Sequence, residues 1–573
     1  MKIKSSKFGT KKSSDSKLSL TNLIWFGFNY TVGIAFTAAF SQLMLSSVVD
    51  PTTGEVTGDG LGLNLIWIFL IGGIIAGSCA WAYNKLSRVH AQSNGASYIY
   101  TRTNYGRFWG WMISFLQYST LPVIVTSQIV SMIRINFLDP GSVFYADWGS
   151  FTYLYLDLIG IAVYGLSSCA LFFGIKKLKK FINYSSYIKW GTAALLMLAV
   201  IVLNFKYGGE NYSEAASNTS ITMKSFSDGF STCFFFFLGF ETYSTVSKNV
   251  ENPEKNVGRS AIWVIAISTI FYLITTILFI GAIGAEFSDN PNMQIFDKFN
   301  SGWIDVAGGI LMIISVLSLK MNAGMQNAFY SGGILEPQAV EGYIPEKYKE
   351  LNEDNLAIRA SILNLILTFC FLFIWLIIPD IISGATGQET FGYNDIIGTV
   401  TLILLMVYSF VISIALKLTF ENKIDSAWWE IALWIITGIF IVWQVVQWFV
   451  VVFENISSVT SIMQLSYITL IIGFAVIWYF AYYNPKYKKR LKENPKYQKE
   501  LDDKFMIVDD WNHVSVHMQH ILDKYLKRSH NIHADTNNEN YKFAESVHKD
   551  MKLNYDKNKD QEPNKKELKE EEK

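Results

Sequence analysis

Long apolar stretches alternate with short polar ones along most of this chain, and the apolar stretches keep returning at lengths of 20 residues or more. A bilayer core of about 30 Å takes about 20 apolar residues per helix, so the pattern predicts an all-α integral membrane protein. Twelve candidate spans follow from it: 19–48, 63–84, 108–133, 151–174, 181–205, 225–248, 260–285, 302–333, 360–379, 395–416, 427–453 and 457–483. A polar segment, 1–18, precedes this membrane domain of 19–483, and a polar tail, 484–573, follows it.

The distribution of charge sharpens that division. The chain is 51% hydrophobic and only 17% charged, and by count residues 484–573 hold 38 of its 96 charged side chains. A formal net charge of zero gives no reason to expect a nucleic-acid partner. The four cysteines, Cys79, Cys169, Cys233 and Cys370, all fall inside apolar runs, so neither a disulfide framework nor a metal spacing is expected. The first segment is lysine-rich, and the apolar run after it is too long for a signal-peptide core, so no cleavable signal is expected.

Basic residues near span ends stay on the cytoplasmic side, which orients the chain. Lys2, Lys4, Lys7, Lys11, Lys12 and Lys17 precede the first span. The second loop holds Lys85, Arg88, Arg102 and Arg107, and the fourth holds "KKLKK" at 176–180. The first, ninth and eleventh loops carry no Lys or Arg, and the third, fifth and seventh carry only Arg134, Lys206, Lys224 and Lys298. Both termini are therefore expected in the cytoplasm of a multi-pass cell-membrane protein.

Within the tail, Trp511, Val514, Met518, Ile521, Leu522, Tyr525 and Leu526 recur at helical spacing. They predict an amphipathic helix over about 509–529 that docks on the membrane domain, the membrane surface or a cytoplasmic partner. Asp509 or Asp510 would cap its start. His513, His517 and His520 lie on its other face and read as a solvated polar surface rather than a metal site. The remainder of the tail is expected to lack fixed structure. No cofactor or metal is implied anywhere in the chain.

Two spans carry signs of interruption. The first reads "WFGFNYTVGIAF" around Gly33, and the sixth reads "FFFFLGFETYS" around Gly239. Irregular backbone survives at membrane depth only where it lines a protein cavity. Breaks in spans one and six are the correspondence expected of a five-helix repeat followed by an inverted copy. Ionisable residues inside spans are the second sign, because each costs at least about 2.5–3.5 kcal/mol at the bilayer centre. Four lie deep: Asp157, Lys189, Glu241 and Lys320. Either lysine can also snorkel its ammonium to the interface.

The stretch "FFFFLGFETYSTVSKNVENPEKNVGRSAI" resembles the sixth-helix signature of permeases in the amino acid–polyamine–organocation superfamily. The likeness runs through Gly239, Phe240, Glu241, Glu251, Asn252, Pro253 and Arg259. The second span and its loop, "GSCAWAYNKLSRVHAQSNGASYIYTRTNYGRFWGW", span five's "FINYSSYIKW" with Asn183 and Lys189, and span eight's "SVLSLKMNAGMQNAFYSGG" are similar to family stretches in the same order. The resemblance covers roughly residues 19–480. It implies about twelve helices in a 5+5 inverted repeat with broken helices 1 and 6, and alternating access to a central site.

On that resemblance, the amides of Gly33, Ile34 and Ala35 would hold a substrate carboxylate. The carbonyls of Phe236, Phe237 and Leu238, freed by unwinding at Gly239, would hold an ammonium group, and Phe240 would occlude the substrate. Glu241 would bind freed amides or relay a proton. Lys189 matches a lysine that in some relatives stands where sodium-coupled cousins hold an ion, which favours proton coupling or exchange over sodium. The first-helix signature departs from the family, since Ala35 replaces a second glycine and gives the backbone less freedom.

The resulting expectation is a permease, not an enzyme, that moves amino acids across the membrane, with protons as a possible coupling ion. A polyamine or other small-amine transporter is the nearest alternative, and a channel or membrane sensor the next. No glycine–lysine phosphate loop is present for ATP-driven transport.

Overall fold

The computed structural model describes residues 17–32, 48–49, 56–57, 61–90, 93–130, 137, 145, 147–217, 221–283, 295–387, 393–421 and 423–504. The expected amphipathic helix of 509–529 lies outside these residues, as do Gly33, Ile34 and Ala35.

The architecture is helical. In chain order the helices are α1 (Leu20–Thr31), α2 (Asn64–Val89), α3 (Ser97–Tyr105), α4 (Arg107–Ile129), α5 (Thr152–Ser168) and α6 (Ile175–Ser217). After them come α7 (Met223–Phe235), α8 (Thr242–Thr245), α9 (Pro253–Ile283), α10 (Gly302–Glu341), α11 (Ile358–Leu372) and α12 (Ile378–Thr386). The last are α13 (Tyr393–Phe420), α14 (Trp428–Glu454), α15 (Val459–Trp478), α16 (Asn484–Glu493) and α17 (Tyr497–Lys504).

Ten helical stretches among the described residues are long and apolar enough to cross a membrane. The two expected spans missing from that set are the first and the sixth, the ones read as interrupted. The first helix stops at Thr31, where Val32 turns extended (φ −99°, ψ 132°). The expected helical run to residue 48 also ends differently, since Val48–Val49 pair antiparallel with Val56–Thr57. The sixth span divides into α7, a non-helical stretch over residues 236–241, and the single turn α8.

Helices α1 and α7 sit inside the bundle. Helix α1 packs against α9 and α10, and α7 packs against α2 and α13. Close approach is possible because small residues stand at the crossings. A Cβ on Gly258 of α9 would lie 2.5 Å from the Asn84 Cα of α2, a distance that backbone cannot concede. The bundle's outside is apolar instead of polar, with Phe205 88%, Leu166 76% and Ile439 67% exposed, as a lipid-facing surface requires. Trp303 and Trp428 stand exposed at the first turns of α10 and α14, where aromatic rings favour the membrane–water boundary.

Two π-helical turns, Phe373–Ile377 and Tyr479–Tyr483, each precede a proline by one residue, at Pro379 and Pro485. In both, the residue before the proline donates its amide five positions back, Ile378 to Phe373 and Asn484 to Tyr479. A proline has no N–H to continue the ladder, and the wider turn shifts the register around the missing donor.

The pattern predicted helix to residue 333 in span eight and a polar tail from 484. In the structure α10 continues to Glu341, and residues 484–504 form α16 and α17 rather than an unstructured run. One buried charge cluster explains both differences. Glu341, with its side chain fully buried, accepts from Arg102 Nε (2.6 Å), Arg107 Nε (2.9 Å), Tyr98 Oη (2.8 Å) and Tyr483 Oη (2.9 Å). Asp502 of α17 accepts from Arg102 Nη2 at 2.7 Å. Two carboxylates thus balance two guanidiniums, and the tail supplies one of the four. A further pair, Arg490 Nη2 to Glu346 Oε1 at 2.6 Å, ties α16 to the segment after α10. Hydrogen bonds from Lys349 and Arg490 hold the Glu346 carboxyl down at about 2.

Removing one partner of a buried pair strands the other charge, at a cost of about 3–5 kcal/mol. Glu341→Ala is accordingly expected to lower the melting temperature of the detergent-solubilised protein by several degrees. An unchanged melting curve would mean that water screens the cluster.

Candidate functional site

The non-helical stretch at 236–241 is built by its own residues. Gly239 adopts φ +106°, a conformation that side-chain-bearing residues avoid, and a Cβ there would lie 2.5 Å from the Tyr30 ring. Glu241 Oε2 accepts the Gly239 amide at 3.1 Å. Thr242 Oγ1 donates to the Gly239 carbonyl at 2.6 Å. The carbonyls of Phe237 and Leu238 accept no hydrogen bond among the described residues. Helix α7 thus ends at membrane depth with carbonyl groups turned out of the ladder, where the helix dipole adds negative potential.

The end of α1 faces the same region and is satisfied by side chains of other helices. Lys189 of α6 donates to the Asn29 carbonyl at 3.0 Å and also to the Val32 carbonyl. Tyr272 Oη of α9 donates to the Thr31 carbonyl at 3.0 Å. Trp190 Nε1 holds Asn29 Oδ1 at 2.6 Å, and its ring stacks on Phe28 with centroids 5.0 Å apart. The start of α1 is fastened as well, because Leu18 exchanges backbone hydrogen bonds with Asn249 and Glu251. Lys189 is 0% exposed, so its ammonium stays inside the protein and does not snorkel.

Between these two helix ends lies a cavity with about 870 Å³ of space not filled by atoms, part of it open to solvent. Tyr30 and Thr31 line it from α1, and Phe236, Leu238, Gly239 and Glu241 from the interrupted span. Helix α4 contributes Gln117, Thr120, Ser127 and Gln128, and α10 contributes Lys320 and Tyr330.

The sequence-based site residues therefore separate into three groups. Phe236, Leu238, Gly239 and Glu241 meet at the cavity. Phe237 and Phe240 turn away from it: Phe237 packs on Phe69 and Tyr272, and Phe240 on Tyr83 and Tyr408. Lys189 stands behind α1 and is not in the cavity wall. Asp157 is fully buried within α5, also outside the wall.

The sequence did not single out which residues of α4 line the wall. A signal for them was present, because Gln117, Thr120, Ile124, Ser127 and Gln128 recur at three- and four-residue spacing within an apolar span. The role of Tyr30 and Tyr330 had no such signal. Their rings meet edge-on with centroids 5.4 Å apart only because α1 crosses α10.

A ladder along α10 supports this wall. Asn322 Nδ2 donates to the Ile182 carbonyl and to Ser185 and Ser186 of α6. Gln326 donates to Asn322 Oδ1 at 2.6 Å, and Tyr330 donates to Gln326 Oε1 at 2.7 Å.

The chain is 24% identical over 322 residues to an Arabidopsis thaliana protein named cationic amino acid transporter 2, vacuolar, covering 54% of this chain and 49% of the relative. It is 26% identical over 276 residues to the methylthioribose transporter of Bacillus subtilis, covering 47% and 58%. To the glutamate/serine transporter AimA of the same bacterium it is 21% identical over 338 residues, covering 56% and 61%. The chain thus spans about half the length of the relatives it matches. Among solved structures, that of MhsT in complex with L-phenylalanine superimposes with a TM-score of 0.49 at 17% identity, over 74% of this chain and 97% of that one. The family model described as amino acid permease matches residues 18–477, from the first helix to the last apolar span, and the chain accordingly belongs to the amino acid permease family.

Proposed function

We propose that this protein is a secondary transporter that carries an amino acid across the cell membrane by alternating access, in a proton-coupled or exchange mode. The observation that carries the reading is the pairing of two interrupted helix ends around one central cavity. The carbonyl of Leu238, a residue of the cavity wall, accepts no hydrogen bond among the described residues. It suits an ammonium group, because a carbonyl accepts and an ammonium only donates. Transporter sites of this kind use half-helix ends at the membrane midplane. The amides of Gly33, Ile34 and Ala35, the complementary carboxylate donors on the family resemblance, remain part of the proposal.

Lys189 takes the place of a coupling cation in this scheme. Its ammonium meets the carbonyl end of α1, where a positive charge is favoured by the dipole. A sodium ion would need the same oxygens, so transport is expected to ignore a sodium gradient. Glu241 faces the cavity and binds the Gly239 amide, which lets it carry a proton while holding the break in shape.

The measurement is uptake of labelled amino acids by the full chain reconstituted in liposomes, under imposed pH and sodium gradients. Lys189→Met leaves buried carbonyls without their donor, at a cost of about 1–3 kcal/mol, and is expected to reduce uptake at least tenfold. Wild-type uptake driven by sodium, or a Lys189→Met protein as active as the wild type, would remove the lysine from the coupling scheme.

Glu241→Gln keeps an oxygen for the Gly239 amide and loses the titratable group. Its uptake is expected to become insensitive to the pH gradient while exchange persists. A variant that still responds to the gradient as the wild type does would place the proton elsewhere.

A further inference from the structure

The two deep lysines that look alike in the sequence differ in what their ammonium groups meet. Lys189 is saturated by backbone carbonyls. Lys320, midway along α10, is 9% exposed and faces the cavity. It also borders a small gap toward α5, beside Gln128, Tyr164 and Ser167. Among the described residues it has no hydrogen bond and no ion pair. Met321, its neighbour in sequence, is 39% exposed on the outer face, so the helix turns Lys320 inward.

A buried charge is ordinarily paired or bonded, because leaving it alone forfeits hydration without return. The nearest acid in the cavity wall does not supply that pair. Glu241 binds the Gly239 amide from the interrupted span, and no ion pair joins it to Lys320. The wall therefore offers an acceptor end, at Leu238 and Glu241, and a cationic end, at Lys320. A molecule with an ammonium and a carboxylate satisfies both ends. A diamine satisfies the first and is repelled by the second.

Resting on the transporter reading above, we infer that Lys320 is a specificity-determining residue that pairs with a carboxylate of the substrate, so that carboxylate-bearing amino acids are accepted and polyamines and simple amines, which lack a carboxylate, are disfavoured. The substrate supplies the counter-charge that the empty wall lacks, and a charge-assisted hydrogen bond of this kind is among the strong ones. The carboxylate is either the α-carboxylate or one on an acidic side chain, and the choice of ligands separates the two.

The test uses the full chain in detergent and in liposomes, with alanine, glutamate, lysine, ethylamine and putrescine as probes. Wild-type protein is expected to take up carboxylate-bearing probes such as alanine or glutamate and to be stabilised by them against heating, with at least tenfold weaker responses to ethylamine and putrescine. Lys320→Met is expected to lose at least tenfold in carboxylate-bearing uptake while melting at a higher temperature than the wild type without ligand, since it removes an unpaired buried charge. That rise separates loss of recognition from failure to fold. Lys320→Arg is expected to recover part of the uptake.

Equal Lys320 dependence for alanine and glutamate identifies the α-carboxylate; dependence for glutamate alone identifies the side-chain carboxylate. Putrescine or ethylamine taken up as well as alanine, or a Lys320→Met protein with the wild-type preference, overturns the inference and leaves the transporter standing. Absence of binding and uptake for every probe overturns the transporter reading, and this inference with it.

Discussion

The contact on which the site depends is the Lys189 ammonium against the carbonyl end of α1. A helix that stops inside a membrane leaves its last carbonyls without partners, and hydrocarbon offers none. Lys189 and Tyr272 answer that deficit from two other helices, while the Leu18 strand contact holds the opposite end. Helix α1 is thereby placed by α6, by α9 and by the segment that leads into α9. Because Tyr30 and Thr31 are the last residues of that helix, the same contact positions one wall of the cavity.

The facing wall rests on a different device. The sixth span is opened by one left-handed glycine and held open by side chains from its own next turn, Glu241 and Thr242. The α10 wall is stiffer, since the Asn322–Gln326–Tyr330 ladder ties it to α6. At the far end of α10, Glu341 gathers two arginines and the tail's α17. One helix therefore links the cavity to the C-terminal segment, through a buried ionic cluster at one end and a cavity-facing lysine near its middle.

Much of this was legible in the residues. Apolar length identified the ten uninterrupted spans, and Gly239 marked a real break, because positive φ is a local demand that glycine alone meets at low cost. The end of α1 at Thr31 falls where the sequence suggests an interruption, although Gly33 itself lies outside the described residues. The docked helices at 484–504 were not legible. Their sequence is a charge run, which has no apolar period to read, and its order comes from partners such as Arg102, some 400 positions away. Phe240 was read as facing substrate because it adjoins the break, yet its ring packs on Tyr83 and Tyr408.

The sequence by itself determined the membrane class, the order of the spans and the place where the sixth breaks. These depend on hydropathy, helical period and single-residue backbone freedom, all of which act over a few neighbouring positions. Only the tertiary structure decided which lysine is capped and which faces the cavity. Lys189 and Lys320 each sit deep in an apolar span, so local physics treats them alike. Their difference arises from the rotation of α6 and α10 about their axes and from what crosses them, and those are set by packing between helices distant in the chain.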